Sequence, residues 1–144
     1  MRQFRFESPE PRDAQSLKAA YPEGVYTFTG VTAAGEKLHG TSTLNHKLPD
    51  TVSLLHPQAK TQGVSFNKLE IRWTPVKNLA GYTIRIDAEE LQVELTAKLP
   101  ASQTSFVVPE GFLLPDTQYT FSIGAVTEEG NISYEETWFI TAEK

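Results

Sequence analysis

The chain has 144 residues, no cysteine and a net charge of −5, with 39% hydrophobic and 22% charged residues. Without cysteine, disulfides, thiolate zinc sites, iron–sulfur clusters and cysteine nucleophiles are excluded. A mildly acidic chain has no general attraction for phosphate backbones or anionic lipid, which argues against nucleic acid as a partner and against membrane insertion.

Residues 1 to 12 hold few core formers and carry Pro9 and Pro11. Phe4 and Phe6 alternate with Gln3 and Arg5, which predicts a short strand over Arg2 to Phe6 with one apolar face. Asp13 is placed to cap a short helix over Ala14 to Ala20, ended by Pro22 and Gly24. The run Val25-Tyr26-Thr27-Phe28-Thr29 is β-branched and aromatic, and Lys37 to Asn45 follows a turn at Ala33-Ala34-Gly35-Glu36. Together they predict a β-hairpin over 24–46, which is not stable by itself and is expected to join a larger sheet.

After Leu48-Pro49-Asp50 the chain reads as short strands separated by turns. Strands are predicted at Thr51 to Leu55, Leu69 to Trp73, Tyr82 to Asp87, Leu91 to Leu95, Ser105 to Val108, Tyr119 to Ala125 and Ser133 to Thr141. Gln58 to Gly63 is read as a polar connection. Regular strict alternation in short segments marks a sandwich or barrel rather than a parallel α/β sheet. The expected core is Trp73, Tyr82, Ile84, Tyr119, Phe121 and Phe139, all inward by alternation.

Trp73 followed by Thr74-Pro75-Val76, Tyr82 opening the next strand, and Leu113-Leu114-Pro115-Asp116-Thr117-Gln118-Tyr119 leading into a late strand resemble, in that order, the core motifs of fibronectin type III domains. The resemblance covers about 51–141 and implies an antiparallel β-sandwich with a tyrosine corner at Tyr119. The fold class is therefore all-β: a sandwich over 51–144, with an N-terminal extension over 1–50 (strand, short helix, hairpin) expected to dock on it and cover outward residues such as Trp138 and Ile140. Phe6-Glu7-Ser8-Pro9-Glu10-Pro11 and Tyr21-Pro22-Glu23-Gly24-Val25-Tyr26 resemble a segment preceding the sandwich in uncharacterised bacterial proteins, many of them exported. That resemblance implies a secreted or cell-surface protein. The start of the chain carries no signal-peptide stretch; the resemblance favours a segment of a longer exported precursor, and a cytoplasmic protein is the alternative reading.

Neither resemblance supplies a catalytic residue, and no enzyme motif is present. His39, His46 and His56 lack the close spacing of metal ligands and read as surface histidines. Asp87, Glu89, Glu90 and Glu94 read as a solubilising face rather than a calcium site. No cofactor and no metal is expected. The candidate partner-binding residues are Glu128, Glu129 and Asn131 in the turn before the last strand, Lys77 and Asn78 in the loop after the tryptophan strand, and Trp138. The resemblance implies loops of this kind as a partner surface, and Trp138 is odd because an outward tryptophan needs either cover or a ligand.

Three functions follow from this reading. The first is a non-catalytic extracellular interaction or spacer module with a protein or glycan partner. The second is a structural subunit that self-associates through edge strands, with Arg2 to Phe6 added to the sheet of a neighbouring copy. The third is an accessory domain of a carbohydrate-active enzyme.

Overall fold

The computed structural model describes Pro9 and residues 11–144, in two units divided between Lys47 and Leu48. The strand expected at Arg2 to Phe6 lies outside the described residues.

In the first unit, α1 (Ala14–Ala20) starts where Asp13 accepts the Ser16 N–H at 2.7 Å and ends at Tyr21, whose N–H bonds Leu17 O. The Ser16 bonds hold the Asp13 carboxyl below its ordinary pKa. The cap is therefore complete above the carboxylate range and is lost as the pH falls through the depressed pKa. Strands β1 (Gly24–Val31) and β2 (Lys37–Leu44) pair antiparallel over their full length, Gly24 opposite Leu44 and Val31 opposite Lys37. They form a two-stranded sheet. Register puts Tyr26, Phe28, Leu38 and Leu44 on one face, with Gly40 opposite Phe28 and Gly30 opposite Leu38. Among the described residues of this unit none is buried.

The second unit is a sandwich of two sheets. The strands are β3 (Leu54–His56), β4 (Thr61–Val64), β5 (Glu70–Trp73), β6 (Gly81–Ala88), β7 (Val93–Pro100), β8 (Ser105–Val107), β9 (Gln118–Val126) and β10 (Ile132–Thr141). One sheet runs β3-β5-β8 and the other β4-β10-β9-β6-β7. All pairs are antiparallel except β4 with β10, which is parallel.

Alternation makes the core. Ile71 and Trp73 from β5 meet Tyr82, Ile84 and Ile86 from β6, Tyr119, Phe121, Ile123 and Ala125 from β9, and Phe139 from β10. Every residue of the expected core is buried there. Trp73 meets the Tyr82 ring edge-to-face at 5.4 Å, and Tyr119 stacks on Phe139 at 5.7 Å. Gly81 is required by close packing, since a Cβ there would run into the Leu99 carbonyl oxygen.

Several strand bounds differ from the sequence expectation. The strand expected at Thr51 to Leu55 is Leu54–His56. The segment read as a polar connection, Gln58 to Gly63, runs into β4 at Thr61, and that strand takes its ladder from β10. The strand expected at Leu91 to Leu95 is Val93–Pro100, and Leu91 instead closes a 3-10 turn, Glu89–Leu91, before Gln92 turns left-handed at φ 54°.

Candidate functional site

The candidate loops hang from the central strands of the larger sheet. Gly81 at the start of β6 pairs with Val126 at the end of β9, and the Ala80 N–H donates to Val126 O at 2.8 Å. The 74–80 loop and the 127–131 turn therefore sit side by side at one end of the sandwich. That brings Lys77 and Asn78 to the same end as Glu128, Glu129 and Asn131.

Both loops are held from below. The Val76 N–H donates to the Tyr82 hydroxyl at 2.9 Å, and Val76 and Leu79 pack against the core. At the loop's root, the Thr74 N–H donates to Ser53 O and the Ser53 N–H to Thr74 Oγ1, both at 2.9 Å. Asn78 turns the tip at φ 59°, and it and Lys77 are exposed. In the other loop the Thr127 N–H donates to Asn131 O (2.9 Å), while Thr127 Oγ1 accepts the Asn131 N–H (3.1 Å). Gly130 supplies the positive φ of 91° that the turn needs. Glu128 and Glu129 are exposed and Asn131 is half-buried. The result is a pre-formed tip that places one ammonium, two amides and two carboxylates on anchored backbone, an arrangement suited to recognition.

Trp138 lies elsewhere, near the far end of β10, opposite Thr120 on the outward face. It is half-buried, as is Ile140. Tyr134 shares that face, and sequence reasoning missed it. Its ring lies over Gly124, where a Cβ would come within 2.7 Å of it, yet the residue is 54% exposed. Its alternation with Trp138 was the available signal.

The acidic group includes a basic partner: Arg85 pairs with Glu94 of β7 at 2.9 Å and with Asp87, on its own strand β6, at 3.3 Å. Among the described residues no group of three His, Asp or Glu side chains is arranged to hold a metal ion. His46 is tied locally, its ring Nε2 2.8 Å from Tyr21 O and its N–H donating to the Glu23 carboxylate at 2.7 Å.

The tyrosine corner is present. The Tyr119 hydroxyl accepts the Leu114 N–H at 3.0 Å, five residues upstream. Beside it Thr141 Oγ1 accepts the Thr117 N–H at 2.9 Å and donates to Leu114 O at 2.6 Å, which ties the corner to the last strand.

A search of curated proteins found no match. Among solved structures, the fn3 domain of human contactin 1 superposes with a TM-score of 0.50 at 21% identity, over 69% of this chain and 81% of that one. The fn3 domain of human collagen alpha-1(XX) gives 0.47 at 19% identity, over 67% of this chain and 85% of that one. The FN1–FN3 domains of chicken CNTN1 give 0.49 at 18% identity, over 82% of this chain, which spans only 44% of that longer one. A family model, the fibronectin type III domain, matches residues 56–141. With Trp73, Tyr82 and the Tyr119 corner all in its core, the chain belongs to the fibronectin type III family.

Proposed function

We propose that this chain is a non-catalytic extracellular interaction module that engages a protein partner through the paired loop tips at Lys77–Asn78 and Glu128–Asn131. Domains of this family typically serve as interaction or spacer modules. The observation that carries the reading is the Ala80–Val126 hydrogen bond, which sets two exposed, internally braced loops side by side. Loops ordered in advance lose little entropy on binding. The mixed charge of Lys77 against Glu128 and Glu129 favours a polar, complementary partner surface. No helix among the described residues is long and apolar enough to cross a membrane.

The test is a screen of the full chain against arrays of extracellular protein domains and of glycans. Protein hits are expected to weaken about tenfold or more on Asn78→Ala with Glu128→Lys, and to be indifferent to Trp138→Ala. Hits that ignore the loop substitutions would defeat the loop assignment. Glycan hits lost on Trp138→Ala would instead move the site to the outward face of β10.

The first unit is proposed to dock on the sandwich in solution. The support is physical: a lone hairpin with Val25, Val31 and Leu38 exposed is marginal unless its surface is covered. Amide exchange of Tyr26, Phe28 and Leu44 is expected to be slowed together with that of the sandwich. Exchange at free-peptide rates at these positions, beside a protected sandwich, would show a tail instead.

A further inference from the structure

One edge of the larger sheet is only partly covered. The Lys60 N–H donates to Trp138 O at 2.9 Å, so the main-chain groups of Trp138 point away from β9, towards β4. In an antiparallel ladder this orientation repeats every second residue. The N–H and C=O groups of Glu136, Tyr134 and Ile132 therefore point to the same side. Yet β4 pairs with β10 only at Phe139 and Thr141. From Ile132 to Glu136, no strand among the described residues continues that edge.

We propose that this open stretch of β10 receives, by strand addition, the Arg2 to Phe6 segment of a second copy of the chain. The proposal rests on the reading of the protein as a self-assembling subunit, and it names the receiving edge. Three observations point to this occupant. The open edge spans residues 132–136 and the segment spans 2–6, so both are five residues long. The edge carries exposed Glu136, and Glu128 and Glu129 lie in the turn that leads into it; the segment carries Arg2 and Arg5. The side chain of Tyr134 stands exposed beside the edge, and the segment alternates Phe4 and Phe6 with its polar residues. Carboxylates along a free edge discourage pairing with a like edge and accept a strand bearing arginine. Main-chain hydrogen bonds then supply affinity, while the alternating side chains supply register.

The experiment is sedimentation of the full chain over a wide concentration range, with a labelled peptide of residues 1 to 8 as a direct probe. Association that grows with concentration is expected, together with saturable peptide binding. Glu136→Pro removes an edge-facing N–H without touching the ladder to β9, and is expected to weaken both by about tenfold. Thermal melting of that variant confirms that the sandwich is intact. Arg2, which shares a strand face with Phe4 and Phe6 as Glu136 does with Tyr134, supplies a test without proline: Arg2→Glu is expected to weaken association by a similar factor, and adding Glu136→Arg to it should restore association. If the chain associates but ignores Glu136→Pro and the charge exchange, the edge assignment is wrong while assembly stands. If the chain is monomeric at every concentration, with or without peptide binding, assembly by a second copy fails altogether.

Discussion

Replacing Trp73 with alanine is expected to lower the stability of the sandwich by about 3–5 kcal/mol. The residue is 1% exposed and sits at the centre of the smaller sheet, since β5 pairs with β3 on one side and β8 on the other. Its indole packs edge-to-face on Tyr82, with rings inclined by 70°. Neighbouring side chains from two sheets cannot all move inward, so truncation leaves a cavity rather than a collapse. The Nε1 of Trp73 is buried without a hydrogen-bond partner. Its removal therefore breaks no hydrogen bond, and the loss is one of packing alone. Two consequences follow for urea titrations. Trp73→Ala shifts the midpoint strongly with little change in slope. Trp73→Phe, which keeps a ring and deletes the unpartnered N–H, costs much less than alanine. A loss under about 1 kcal/mol for alanine would mean that the two sheets do not close on this residue.

What was legible in the sequence follows the range of the forces involved. The inward faces of β5, β6 and β9 could be read because Ile71 and Trp73, Tyr82 to Ile86, and Tyr119 to Ala125 alternate without interruption, and alternation is a local consequence of pleating. The β7 edge strand carried the same signal at Val93, Leu95, Ala97 and Leu99, but Leu91 drew the predicted strand towards the N-terminus. Strand β4 had no such signal. Thr61, Gln62 and Gly63 are unremarkable locally, and Gly63 adopts a φ of 70°; the segment is a strand only because β10 lies beside it. The candidate site shows the same division. That Glu128 to Asn131 form a turn could be read from Gly130. That this turn lies beside Lys77 and Asn78 depends on the pairing of Gly81 with Val126, more than forty residues apart in sequence. That no strand among the described residues pairs with Ile132 to Glu136 on this side depends on where β4 begins its pairing, which no local pattern encodes.

The second large effect is expected at Tyr119, where ring and hydroxyl can be separated. Tyr119 is fully buried, its ring stacked on Phe139 with an interplanar angle of 23° and tilted against Phe112 at 6.1 Å. Its hydroxyl accepts the Leu114 N–H and lies 3.5 Å from Phe112 O, at the outer limit for a donated bond. Tyr119→Ala removes the ring and the pin and should cost about 3–5 kcal/mol. Tyr119→Phe keeps the ring and strands the Leu114 N–H, which should cost about 1–3 kcal/mol. The loss in the phenylalanine variant belongs to the connection over 109–117. That connection is otherwise held at its end by Thr141, which receives the Thr117 N–H and donates to Leu114 O. Tyr119→Phe and Thr141→Val therefore act on one bracket. Their effects in a double-mutant cycle should fall short of additivity by about 0.5 kcal/mol or more. Strict additivity would show that the hydroxyl and Thr141 hold the corner independently, and a neutral Tyr119→Phe would show that the corner contributes nothing to stability beyond its buried ring.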